Sequence, residues 1–186
     1  MSFKVYKRKI DIYVARDGRF QYVCSTNASK TCKDAKSKFL AKNPSIPSDN
    51  IKAVFAPLMI LNIGMDTNDG RGITIAQINA ALRLANARAV AAAVRRSDSE
   101  PTYVVELSDA LTEGSVFALA EILGQDAIAV WDMVSETGKL IGPKAASWGA
   151  FDPERFLLVS GARLADALTV LDAMSPRDSS PERDRQ

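Results

Sequence analysis

Six cations, Lys4, Lys7, Arg8, Lys9, Arg16 and Arg19, share the first 22 residues with the rings of Tyr6, Tyr13, Phe20 and Tyr22. A lysine-rich segment carrying Lys30, Lys33, Lys36, Lys38 and Lys42 follows. Lys and Arg release counterions from phosphates, and exposed rings stack on bases. The candidate nucleic-acid-binding residues are therefore Lys7, Arg8, Lys9, Tyr13, Arg16, Arg19, Tyr22 and Lys33. The same pattern also suits a small solvated sheet whose rings form its core, or a surface that docks on an acidic protein. Salt separates these cases, because affinity for phosphates falls steeply as salt rises.

A second set of residues could do chemistry. Asp126, Asp132 and Glu136 surround one expected strand with Lys139 nearby, and carboxylates joined to a lysine through a divalent ion cut phosphodiesters. Acids at strand ends equally just face water. Histidine is absent, which excludes Ser-His-Asp and Cys-His nucleophilic sites and any His-containing zinc site. Two cysteines cannot build a four-Cys site; Cys24 falls on an expected strand and Cys32 on an expected helix, as buried or half-buried thiols. Asp66-x-Asn68-Asp69-Gly70 opens like a calcium loop, but Gly70 and Gln77 stand where that loop needs oxygen ligands. Gly70 and Gly72 lack the third glycine of a dinucleotide fingerprint, and Gly138-Lys139 lacks the upstream glycine of a phosphate loop. No catalytic residue, metal or cofactor is assigned, and an enzyme is the less favoured expectation.

Charge is divided along the chain. Residues 1–56 hold 12 Lys/Arg against 4 Asp/Glu, whereas residues 57–174 hold 9 against 15, so a net charge of +2 hides a basic part and an acidic part. Such asymmetry predicts a polyanionic partner for the first part, or docking of the two parts on each other. With 47% hydrophobic residues, no apolar run of membrane-spanning length and no signal-peptide pattern, the chain is expected to be soluble, cytoplasmic and not membrane-inserted.

Periodicity places these residues on elements. Ile10, Ile12 and Val14 alternate with Asp11 and Tyr13, and Asp17-Gly18 predicts a two-residue type I′ turn into a strand from Phe20 to Ser25. That loop length sets Tyr13 opposite Tyr22 and Ala15 opposite Phe20. A helix with Cys32, Ala35 and Phe39 on one stripe follows, with Asn27 and Ser29 as expected caps and Asn43-Pro44 as its stop. Ile51 to Ala56 is a third strand, and Pro57 ends a β-β-α-β module; proteolysis is expected near Pro57 and within 175–186.

The remainder predicts a strand at Met59–Met65, a Gly-rich loop, and a helix capped by Thr74 and Gln77 running to about Ala85. Strands at Ala89–Val94 and Thr102–Leu107, a helix capped by Thr112 and stopped by Gly124, and a strand at Ala127–Trp131 complete β-α-β-β-α-β, the ferredoxin-like order. A return strand at Lys139–Ile141 and a helix opened by Asp152-Pro153 and continued through Leu164, Leu168 and Leu171 follow. The fold class is thus α/β (α+β): a basic β-β-α-β module over 1–56, a ferredoxin-like module with a C-terminal helix over 57–174, and a disordered tail over 175–186. The rings of an RNA-recognition sheet are missing from its two expected central strands, where Tyr103 stands alone.

Three stretches are familiar: Ser99-Glu100-Pro101-Thr102-Tyr103-Val104-Val105, Leu123-Gly124-Gln125-Asp126-Ala127-Ile128-Ala129, and Leu140-Ile141-Gly142-Pro143 leading to Trp148-Gly149-Ala150-Phe151. Over roughly 58–158 the chain resembles small accessory proteins of bacterial plasmids and prophages. The resemblance implies a protein from a mobile element that binds a macromolecular partner, for example to interfere with a host system or with plasmid transfer. It carries over no catalytic residue.

Overall fold

A computed structural model describes residues 8–88 and 91–161. Lys4, Tyr6 and Lys7, the helical stripe at Leu164, Leu168 and Leu171, and the tail at 175–186 lie outside the described residues.

The chain is α+β, with two antiparallel sheets. The first sheet has three strands, β1 (Ile10–Arg16), β2 (Arg19–Thr26) and β3 (Ile51–Phe55), in the order β2-β1-β3. Asp17 and Gly18 join β1 to β2 with φ of 51° and 76°, as a type I′ turn requires. The register sets Tyr13 opposite Tyr22 and Ala15 opposite Phe20. It then shifts between Ile12 and Tyr13, so that Ile12 faces Cys24 and Val23 is the extra residue of a bulge. Helix α1 (Cys32–Lys42) covers one face; Ile10, Ile12, Val14, Ala35 and Ile51 make this core, with Cys24 and Cys32 at its margin. Thr31 caps α1, its hydroxyl accepting from the Asp34 amide at 3.1 Å, in place of the expected Asn27 or Ser29. The Thr26 hydroxyl binds the Ala28 amide at 3.2 Å, which turns the chain once more before the helix starts. Asn43 ends α1 just before proline.

The second sheet holds β4 (Met59–Gly64), β5 (Ala91–Arg96), β6 (Thr102–Leu107), β7 (Ile128–Asp132) and β8 (Thr137–Ile141), in the order β5-β6-β4-β7-β8. Helix α2 (Ile75–Ala85) joins β4 to β5 and helix α3 (Glu113–Ile122) joins β6 to β7, which is the ferredoxin-like arrangement, extended at one edge by β8. Thr74 and Gln77 form a full capping box on α2, Thr112 caps α3, and Gly124 follows α3 with φ 63°. Met59, Leu61 and Ile63 of β4, with Tyr103, Val105 and Leu107 of β6, point toward α2 and α3. The alternate residues Ile60 and Val104 are equally buried, because helix α4 (Pro153–Ser160) lies on the other face with Phe156 and Val159 against Trp131. Burial on both faces explains why these strands read as unbroken apolar runs.

Asp152 caps α4 and Pro153 starts it, but the helix closes at Gly161, φ 86°, before the leucine stripe expected to continue it. Its last carbonyls are taken by the β5–β6 turn: Arg95 donates to Ser160 O, Ser97 to Val159 O at 3.2 Å and Ser99 to Leu158 O at 3.2 Å. Arg155 adds a two-pronged bond to Glu100 at 2.9 and 3.2 Å. The junction between the sheets is buried at Ala56 and Pro57. Leu58 is bonded on both sides, its amide to Leu107 O and its carbonyl to the Met133 amide. Cleavage near Pro57 is therefore not expected of the folded chain. No helix among the described residues is long and apolar enough to cross a membrane.

Candidate functional site

On the first sheet, the face turned away from α1 carries Asp11, Tyr13 and Ala15 of β1, Phe20 and Tyr22 of β2, and Lys52 and Val54 of β3, by their register. Tyr13 and Tyr22 meet edge to face with centroids 5.9 Å apart. The Tyr22 hydroxyl lies 3.0 Å from Ser25 Oγ, which donates to Asp11 Oδ1 at 2.6 Å, so a polar chain ties β2 to β1 beside the rings. Phe20 is 50% exposed, a large ring held at the surface on the edge strand β2. Lys52 reaches diagonally across the face and sets its ammonium 6.0 Å from the centre of that ring.

The structure brings some of the expected binding residues together and separates others. Tyr13 and Tyr22 share the outer face, whereas Arg16 pairs with Arg19 at the hairpin tip, where strand alternation puts both on the α1 side of the sheet. Arg8 and Lys9 stand at the opposite end of β1, about 25 Å away at some 3.3 Å per strand residue. There Arg8 lies over the Phe55 ring at 4.7 Å, and Lys9 pairs with Glu136 at 3.5 Å. Lys33 is exposed on α1, in the other layer. Lys7 lies outside the described residues. Sequence reasoning passed over Lys52, which has no neighbouring cation in the chain; pairing β3 beside β1 is what delivers it, opposite Tyr13.

Positive charge on this module is mostly left unmatched. Lys38 pairs with Asp34 and Lys9 with Glu136, whereas Arg16, Arg19, Lys30, Lys33, Lys36, Lys42 and Lys52 enter no ion pair among the described residues. Docking of the two halves on each other accounts for one described ion pair, Lys9 with Glu136. The Lys38 ammonium holds the Asp34 carboxyl below the usual carboxylate range.

The carboxylates considered for a metal site do not converge. Asp126 precedes β7 by two residues and Asp132 is its last residue, so the two carboxylates stand at opposite ends of the strand. Asp126 pairs with Lys144 at 3.0 Å, while Asp132 Oδ1 accepts from the amides of Val134 and Ser135. Glu136 turns to Lys9, and Lys139 to Glu113 at 2.9 Å. Among the described residues no group of three or more acids and cysteines is placed to hold a metal ion. The polar loop after β4 is a turn: Asp66 and Gly72 bridge, and the Thr67 hydroxyl bonds Asp69 and accepts from the Arg71 amide. That hydroxyl is the main cause of a lowered Asp69 pKa. Tyr103, the lone ring of the central strands, faces the core and donates to Ile73 O at 2.7 Å.

A second feature has no sequence signature. Between the sheet, the N-terminal end of α4 and the loop through Trp148 lies an open cleft of 460 Å³. Gln125 shapes one wall, accepting from the Gly64 amide at 3.0 Å and donating to Asp66 O at 2.6 Å. A Cβ on Gly64 would lie 2.7 Å from Gln125 Oε1, so this wall depends on glycine there. The residues of the wall come from β4 and from the α3–β7 turn, some 60 positions apart, which is why only the fold unites them. No family model, curated protein or solved structure matches the chain.

Proposed function

We propose that this chain is a non-enzymatic binding protein whose three-stranded sheet engages single-stranded nucleic acid, and that it serves a bacterial mobile element as an accessory protein. The observation that carries the proposal is Phe20, half exposed on a face that also carries Tyr13 and Tyr22, with Lys52 above it. A base stacking on Phe20 displaces the Lys52 ammonium onto the adjoining phosphate, so one strand position supplies both stacking and charge neutralisation. A cation drawn over a ring gains only about 0.5–1 kcal/mol at an exposed site, and a phosphate readily recruits it. The unmatched cations of the module supply the long-range attraction. The mobile-element setting rests only on the resemblance read from three stretches within residues 58–158.

Fluorescence anisotropy of the full chain with labelled single-stranded DNA, single-stranded RNA and duplex tests this. Single strands are expected to bind more tightly than duplex, with log affinity falling linearly in log salt. Lys52→Ala and Arg19→Ala should each make that slope shallower by up to about 0.7 for a single strand. Affinity indifferent to salt, or a preference for duplex unchanged by these substitutions, overturns the proposal and leaves the lysines as a solvated face.

A further inference from the structure

We propose that the cleft on the α4 side of the five-stranded sheet docks a basic peptide segment of a partner protein. One bulky apolar side chain would fill the cleft, and flanking Lys or Arg side chains would meet its rim. The volume of 460 Å³ falls within the roughly 300–1,000 Å³ of sites that enclose small ligands or side chains. Its interior is apolar, with Ala129, Leu140, Phe151 and Phe156, and Trp148 stands beside them 55% exposed. Carboxylates outnumber cations around it. Asp66, Glu100, Asp126 and Asp152 line it against Arg155 alone. Arg155 is spent on Glu100 and Lys144 on Asp126, while Asp66 is exposed and has no ion pair among the described residues. An anionic ligand would be repelled, and a cation beside Trp148 gains from both the ring and the carboxylates.

Asn62 points to a peptide rather than a simple amine. It is 9% exposed and lines the cleft; its Oδ1 accepts from Ser160 Oγ at 3.1 Å, and its amide NH₂ donates to no described group. Thr102 Oγ1, also in the lining, is sealed off without a partner, whereas the Asn62 amide keeps accessible surface, so its donors are free to meet an acceptor brought into the cleft. A peptide backbone brings carbonyls for the Asn62 donors together with the apolar and cationic side chains that the rest of the cleft suits.

Selection of random dodecapeptides displayed on phage against the full chain tests this independently of the nucleic-acid site, which lies on the other sheet. Enriched peptides should carry one Leu, Phe, Met or Trp flanked by Lys or Arg. A resynthesised peptide should shift the emission of Trp148 and leave that of buried Trp131 unchanged. Trp148→Ala should weaken the peptide about tenfold, and Asp66→Lys about fivefold at low salt. Both residues are exposed, so thermal melts and oligonucleotide binding should stay as in the parent chain. No enrichment, enrichment of acidic peptides, or affinity indifferent to both substitutions overturns the proposal. Equally tight binding of arginine amide alone overturns it too, as does displacement of the peptide by an oligonucleotide.

Discussion

Gly138→Ala places one methyl group where a ring already lies. A Cβ built on Gly138 falls inside van der Waals contact with three atoms of Phe151. Gly138 does not have positive φ, so its backbone accepts alanine and any cost belongs to the ring. Phe151 can yield only toward the cleft, giving up its contacts with Trp131 and Phe156, whose ring centres lie 6.1 and 5.3 Å from its own. Overpacking of this kind costs about 1–3 kcal/mol. Expelling the ring entirely approaches the about 3–5 kcal/mol of a buried Phe→Ala change. A loss of about 2 kcal/mol lowers Tm by about 4–8 °C for a chain of this size. The decisive comparison is a double-mutant cycle read by thermal melts. With Phe151→Ala in the background the new methyl group has space, so Gly138→Ala should then cost less than about 0.5 kcal/mol, a coupling above about 1.5 kcal/mol. Equal losses in both backgrounds would refute the packing described for Phe151, and with it this wall of the cleft.

Gly18→Ala should cost about 1 kcal/mol by urea melts, because φ is 76° there while the space around its Cβ is empty. Thr74→Ala should cost a similar amount, about 1 kcal/mol, by breaking the capping box of α2, and Thr74→Ser should restore most of it. The Asp69 carboxyl carbon should titrate below the usual aspartate range by NMR, and Thr67→Val should raise its midpoint. Since the folded pKa is the depressed one, support from this carboxylate is present above the unfolded value and is lost as pH falls through the folded one. Without histidine, stability should change by less than about 1 kcal/mol between pH 6 and 8; a larger step would reveal a strongly shifted acid, lysine or thiol.

Much of the fold was legible because local chemistry was unambiguous. Asp17-Gly18 fixed both turn and register, so Tyr13 meets Tyr22 as the loop length requires. Thr74-x-x-Gln77, Thr112, Gly124 and Asp152-Pro153 marked helix ends that the structure keeps. Strand β5 forms over Ala91–Arg96, although Ala91, Ala92 and Ala93 favour helix. Asn86 stops α2, and pairing with β6 then outweighs propensity. The start of α1 was misplaced because Thr26 makes a local turn that postpones the helix to Thr31. The end of α4 at Gly161 is not legible, because nothing in the sequence announces the Ser97 and Ser99 hydroxyls that receive its last carbonyls. The candidate sites were legible only in part. Charge and rings along one hairpin can be read from the chain, but the arrival of Lys52, the separation of Arg8 and Lys9 from Arg16 and Arg19, and the entire cleft depend on long-range pairing.

Photocrosslinking tests the central claim most directly. Single-stranded DNA carrying 5-bromouracil reacts on irradiation with rings that stack on the base, and digestion with mass spectrometry locates the attached peptide. The account predicts attachment within the β2 segment that holds Phe20 and Tyr22, falling sharply in Phe20→Ala and suppressed by high salt. Attachment confined to residues 57–161, or unchanged by Phe20→Ala, would contradict it.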